Sequence, residues 1–170
     1  MSDHAHHWYG TVCLVCGIVD SVFAIDPGTT RSAWVLLGRG APVEHGIVDN
    51  EDLLDILVEG PGGCVVIEKV ESFGMAVGAE VFETVFWAGR FAQASPSPFD
   101  RIGRKAVKAH LCGSTRAKDA NIRQALIDRF GGPDSIRKGG PLYGVKADIW
   151  AALAVAVTWR DLNTAALEAA

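Results

Sequence analysis

Late in the chain stands Ile149-Trp-Ala-Ala-Leu-Ala-Val-Ala-Val157, nine consecutive apolar residues inside a segment, Lys146 to about Ala166, that reads as one helix. A helix that is apolar nearly all round has to be surrounded. Its nine apolar residues fall well short of the roughly 20 that span a bilayer, so protein rather than lipid is predicted to surround it. With 170 residues, 49% of them hydrophobic, and a mean hydropathy of +0.19, the chain can build one such core and hardly two. Neither a regular repeat nor a low-complexity tract is evident, which argues against a solenoid or a disordered chain.

The segments available to wrap that helix are short and punctuated. Val22-Phe-Ala-Ile25 is an apolar run ending in the turn Asp26-Pro-Gly-Thr-Thr30. Ser32 to Leu37 and Val43 to Val48 follow, and the three runs predict an antiparallel meander. Asp49 or Asn50 caps a helix through Val58, with acids in the first turn where the helix dipole favours them, and Gly60-Pro-Gly-Gly63 stops it. Cys64-Val-Val-Ile67, continuously apolar like a strand covered on both faces, is a fourth strand closed by Glu68. Val77, Val81 and Val85, with Phe82 and Phe86 beside them, repeat at helical spacing, with Glu80, Glu83, Trp87 and Arg90 on other faces. Phe99 to Ile102 is a short fifth strand. Ser114 or Thr115 is predicted to cap a helix with the stripe Ile122, Leu126, Phe130, ended by Gly131-Gly-Pro133.

Charge is segregated along the chain. Residues 1–100 hold 14 acids and 4 bases, whereas residues 101–170 hold 6 acids and 12 bases, so the overall −4 conceals an acidic part and a basic part. Six Lys or Arg and no acid lie between Arg101 and Lys118. Such a patch either binds phosphates through counterion release or is simply a solvated face. Residues 1–21 read as a flexible extension ahead of a domain over 22–166. Cys13-Leu-Val-Cys16 with His4, His6 and His7 is a weak zinc alternative, because a second CxxC or an HxxxH is missing. Histidines in place of Lys or Arg at the start, and an apolar run broken by Gly17 and Asp20, do not resemble a secretory signal. A reducing cytoplasm is the expected compartment.

Three acids carry the chemistry. Asp26 and Glu68 close apolar strands, and Asp148 heads the apolar helix on the face of Ala151, Ala152, Val155 and Trp159. A carboxylate at the edge of a core needs a cation, a metal or a proton. Singly, each has a plain alternative: a Pro-Gly turn for Asp26, an ion pair with Lys69 for Glu68, a first-turn helix charge for Asp148. Together they predict two strands and a helix converging on a cation.

Ala24-Ile-Asp-Pro-Gly28, the strand-end Glu68, Lys118 at the head of a helix, and Asp148-Ile-Trp-Ala-Ala-Leu-Ala-Val-Ala156 resemble the RuvC family, over roughly Val22 to Arg160. Ser72-Phe-Gly-Met-Ala-Val-Gly78 and His110-Leu-Cys-Gly-Ser-Thr-Arg-Ala-Lys-Asp-Ala-Asn121 look like the RuvC-like resolvases of phages and prophages. The resemblance implies an α/β, RNase H-like fold: a five-stranded mixed sheet flanked by helices. It implies a crossover junction endodeoxyribonuclease that cuts Holliday junctions as a homodimer. It further implies two Mg²⁺ ions, or Mn²⁺, held by Asp26, Glu68 and Asp148, a catalytic role for Lys118 near the scissile phosphate, and DNA contacts from Arg104, Lys105, Lys108, Arg116 and Lys118. Phe73, in the loop after Glu68, is a candidate for contact with unpaired bases, whereas Trp34, Trp150 and Trp159 are assigned to the core.

In one place the chain departs from the family. Members commonly carry a further Asp where this chain has Ala151, which leaves either three acids sufficient or Glu71, or another side chain, completing the set. A junction-binding module with vestigial acids on the same fold is therefore the alternative. Asp26-Pro-Gly-Thr-Thr30 also looks like the first phosphate loop of sugar kinases and actin-like ATPases, but their two related domains do not fit in 170 residues.

Overall fold

The structure, a computed structural model, describes residues 8, 9, 12, 13, 21–72, 74, 76–95 and 99–168. Strands β1 (Trp8–Tyr9) and β2 (Val12–Cys13) pair with each other in a separate two-stranded sheet. The apolar runs predicted as strands form the main sheet. β3 (Val22–Asp26), β4 (Arg31–Leu37) and β5 (Pro42–Asp49) make the antiparallel meander. β6 (Cys64–Lys69) and β7 (Asp100–Gly103) join in parallel on the other side of β3, giving a five-stranded mixed sheet in the order β5-β4-β3-β6-β7. The crossover from β5 to β6 contains helix α1 (Asn50–Glu59), and that from β6 to β7 contains α2 (Ala79–Ala94). Helices α3 (Arg104–Cys112) and α4 (Asp119–Arg129), a 3-10 turn over Gly132–Ile136, and α5 (Ile149–Glu168) complete the chain.

Strand residues point alternately to the two faces of a sheet, and here both faces are covered. Phe23, Ile25, Val65 and Ile67 pack with Leu53 and Leu57 of α1 and Phe91 of α2. Val22, Ala24 and Val66 pack on the opposite face with Val107 of α3, Ile122 and Leu126 of α4, and α5. The apolar helix lies across β3 and β4, with Ala152 through Val157 essentially inaccessible to solvent. Among the described residues no helix is long and apolar enough to cross a membrane. Trp34, Trp150 and Trp159 are buried as expected, and the Trp159 indole donates to Asp100 Oδ2 at 2.7 Å.

Two readings from the sequence are corrected. Gly113 caps α3 in the left-handed conformation, φ 67°, so residues 114–118 form a turn and α4 starts only at Asp119. Ser114, read as a helix cap, instead accepts the Arg116 N–H at 3.3 Å within that turn. The helix of valines and phenylalanines also sits differently from its pattern. Its inward side is Trp87, Ala88, Phe91 and Ala92, while Phe82, Val85 and Phe86 face solvent with exposures of 67%, 50% and 57%. A stripe at helical spacing identifies the helix but not which of two apolar sides meets the sheet.

Leu153 is fully buried beneath the sheet, so Leu153→Ala should lower unfolding free energy by about 2–5 kcal/mol. Val58→Ala, at a position 70% exposed, should change it by less than about 0.5 kcal/mol. Denaturant titration of the two variants checks the contrast; similar losses would mean α5 is not the packed centre of the domain.

Candidate active site

The parallel register of β3 on β6 places Ile25 beside Ile67, and the next residue of each strand is an acid, Asp26 and Glu68. Both acids share strand parity with Ala24 and Val66, so they point to the face covered by α3, α4 and α5. Asp148 immediately precedes α5 on that side, and its carbonyl accepts the N–H groups of Ala151 and Ala152 at 2.9 and 3.2 Å. Ala147 before it is left-handed, φ 44°, a conformation that costs a non-glycine residue roughly 1–2 kcal/mol and here sets the chain's entry into α5. Read from the sequence as the head of that helix, Asp148 stands one residue before it and is exposed, whereas Glu68 is only 8% exposed. The reason is position: Asp148 lies outside the first turn and opens toward the cleft.

The turn after Asp26 is fixed from below by a polar network that the residue pattern did not reveal. The Gly28 N–H donates to Ser32 Oγ at 3.1 Å, the Ser32 hydroxyl donates to Asn50 Oδ1 at 2.7 Å, and Asn50 Nδ2 donates to the Gly28 carbonyl at 3.1 Å. Ser32 and Asn50 are each 1% exposed, so these bonds satisfy groups that burial would otherwise leave costly. A side chain at Gly28 would collide with the Arg31 carbonyl. Asn50 was legible only as a possible helix cap; that it reaches back 22 residues is a tertiary fact.

Crowding of the acids shows in their electrostatics. Asp26 is pushed from 3.8 to about 8, first by burial, then by the charge of Glu68, a hydrogen bond with the Glu68 carboxyl and the charge of Asp148, against the opposing pull of Arg104. Asp26 therefore holds its proton well above the usual carboxylate range. Arg104 supplies the nearby positive charge: its Nη1 donates to Glu68 Oε1 at 3.1 Å and its Nη2 to Asp119 Oδ1 at 2.7 Å. Glu68 and Arg104 form a wall common to two clefts. One, about 210 Å³, is lined by Asp26, Glu71 and Thr84; the other, about 100 Å³, by Asp119, Asp148 and Ala151. Among the described residues no three acid, histidine or cysteine side chains close on a single point, and Arg104 bonds to Glu68. The candidate donor set suits a hard divalent cation: every candidate is a carboxylate, and burial together with the charge of Glu68 raises the pKa of Asp26.

Of the other residues singled out in the sequence, Glu71 pairs with Lys69 at 3.2 Å and packs against Gly103. Arg104 turns toward the acids. Lys105 and Lys108 lie on α3, and Arg116 lies in the exposed turn before α4. Lys118 is the residue before α4; its N–H donates to Asn121 Oδ1 at 2.9 Å, and its side chain is exposed next to Asp119. Asp161 of α5 anchors this basic segment, taking Arg129 at 2.6 and 2.7 Å and His110 at 2.8 Å. Phe73, and the N-terminal zinc alternative apart from the backbone of Cys13, lie outside the described residues. Asp119 went unnoticed in the sequence, although its place beside Lys118 at a helix start was a usable signal.

The fold is similar to that of solved RuvC structures. A Thermus thermophilus RuvC structure superposes with a TM-score of 0.61 at 18% identity, over 87% of this chain and 96% of that one. The structure of T. thermophilus RuvC in complex with Holliday junction substrate superposes with a TM-score of 0.60 at 17% identity, over 84% of this chain and 96% of that one. No family model and no curated protein sequence matches the chain. At such identity the likeness is one of fold, and it agrees with the RNase H-like expectation.

Because Asp26 holds its proton up to about pH 8 when folded but releases it near the ordinary carboxylate value of 3.8 when unfolded, raising the pH between those values withdraws stability from the native state. In chelator, Asp26→Asn should therefore melt higher than wild type at pH 8, by a margin that shrinks toward pH 5. Thermal melts across that range check this, and a margin independent of pH would contradict it.

Proposed function

We propose that this chain is a metal-dependent endonuclease that resolves Holliday junctions or related branched DNA by phosphodiester hydrolysis. The observation that carries the proposal is the gathering of Asp26, Glu68 and Asp148 from two adjacent strand ends and a helix start, where burial first, and then the charges of Glu68 and Asp148, push Asp26 up to about 8. The fold likeness to RuvC, one example of which is in complex with Holliday junction substrate, supports the choice of substrate. So do the segments 72–78 and 110–121, which look like those of phage and prophage resolvases.

Asp26, Glu68 and Asp148 are the residues proposed to hold two Mg²⁺ or Mn²⁺ ions. Bound there, the ions would supply Lewis-acid chemistry, activating water and neutralising charge at the leaving 3′ oxygen. The chain's own groups position the DNA. Lys118, exposed beside the cleft, meets the scissile phosphate, while Lys105, Lys108 and Arg116 bind flanking phosphates and give the affinity its salt dependence. Phe73, five residues after Glu68 in the sequence, is proposed to contact unpaired bases. The polar network under Gly28 holds the Asp26 turn rigid.

Two symmetric strands need two active sites, and a homodimer supplies them. The exposed side of α2 suits a second copy: Phe82, Val85, Phe86 and Gly89 share one exposed stripe, and among the described residues nothing lies within 4 Å of the Gly89 Cβ position. Crossing antiparallel about Val85 and Phe86, two copies would set each Phe82 over the bare Gly89 of the other. Such bulky apolar side chains in water are otherwise a liability.

Purified protein should cut a synthetic four-way junction in Mg²⁺ or Mn²⁺ and leave it intact in chelator. Asp26→Asn should abolish cutting while keeping junction binding. Lys118→Ala should slow cutting on the order of a hundredfold, more than it weakens binding. Equal cutting of linear duplex or flap would remove the junction specificity, and tight junction binding with no cutting under any metal would favour the binding module. Replacing Phe82 and Phe86 by Asp should halve the mass seen by light scattering; an unchanged mass would exclude α2 as the dimer surface.

A further inference from the structure

Arg104 is placed where a cation belongs. Its guanidinium stands between two carboxylates, 3.1 Å from Glu68 and 2.7 Å from Asp119, and it forms part of the wall between the two clefts. Asp119 lines the cleft that holds Asp148 and Ala151, the position where an acid was expected and a methyl group stands. The other spare acid, Glu71, lies on the Asp26 side and is neutralised by Lys69. Resting on the metal-centre reading above, the geometry points to Asp119 as the fourth carboxylate of that centre, with Arg104 as a stand-in cation that metal displaces from Glu68.

The physical case is charge balance together with reach. Glu68, Asp119 and Asp148, with Asp26 beside them, gather acidic oxygens around two clefts, and one guanidinium covers part of them by bridging the two halves. A divalent ion carries twice the charge and offers more coordination positions for oxygen. When Glu68 turns to a metal ion, Arg104 keeps its bond to Asp119 or swings clear, and Asp119 then has an oxygen to offer the same cleft. Asp119 heads α4, and its side chain is 74% exposed, so a replacement there should not disturb the fold.

The test is Mn²⁺ binding to the DNA-free protein, read by titration calorimetry and electron paramagnetic resonance, with thermal melts confirming that each variant is folded. Wild type should bind Mn²⁺ and Asp26→Asn should bind it poorly. Asp119→Asn should weaken binding on the order of tenfold, both alone and in an Arg104→Gln background. Arg104→Gln alone should tighten it, and Arg104→Lys, which keeps the charge but loses the two-ended clamp, should fall between Arg104→Gln and wild type. Loss of the Asp119→Asn effect in the Arg104→Gln background would make Asp119 an anchor for Arg104 and overturn its role as ligand. Weakening by Glu71→Gln in its place would overturn it in favour of Glu71. Weaker binding by Arg104→Gln would overturn the stand-in role. A folded wild type that binds no Mn²⁺ would instead remove the metal centre itself, which separates that failure from the others.

Discussion

Everything at the site follows from the lateral contact between β3 and β6. Because the two strands run parallel and in register, the residues that end them stand side by side, and because side chains alternate, both acids face the same way. Neighbouring carboxylates in a partly dry place repel each other, and the repulsion is relieved only by a proton, a guanidinium or a metal ion. Arg104 is bonded to Glu68, and Asp26 is pushed up to about 8 by burial first and then by Glu68, so a guanidinium and a proton both serve here.

The rest of the domain serves that contact. Alternating residues from β3 and β6 bury one face against α1 and α2 and the other against α3, α4 and α5, so neither strand can slide without exposing its core side chains. The Ser32–Asn50 network anchors the turn behind Asp26. α5 passes under the sheet and delivers Asp148 at its head, and Asp161, further along the same helix, takes hydrogen bonds from Arg129 and approaches His110, which holds the basic segment against the domain. Acid centre and basic flank are therefore parts of one rigid arrangement.

Much of this was legible in residue order. The five strands, the meander, the crossover helices and the central apolar helix all follow from apolar runs of the right length and their Gly, Pro and acidic stops. Asp26 and Glu68 were legible because an acid ending an apolar strand has few places to go. The readings of where α4 starts and of which side of α2 faces inward failed for local reasons. Gly113 ended one helix and postponed the next, and α2 carries apolar residues on two sides, of which periodicity alone does not choose the inner one.

From the sequence by itself came the elements, their order, the segregation of charge and the candidate acids, since these depend on hydrophobic periodicity and on the chemistry of single side chains. Tertiary structure alone decided the partners. Arg104, read along the chain as one more base in a basic run, spans Glu68 and Asp119, which are 36 and 15 residues away; Asn50 bonds to Gly28, 22 residues away. Contacts of that kind are set by how sheet and helices pack in three dimensions, and no pattern in neighbouring residues encodes them.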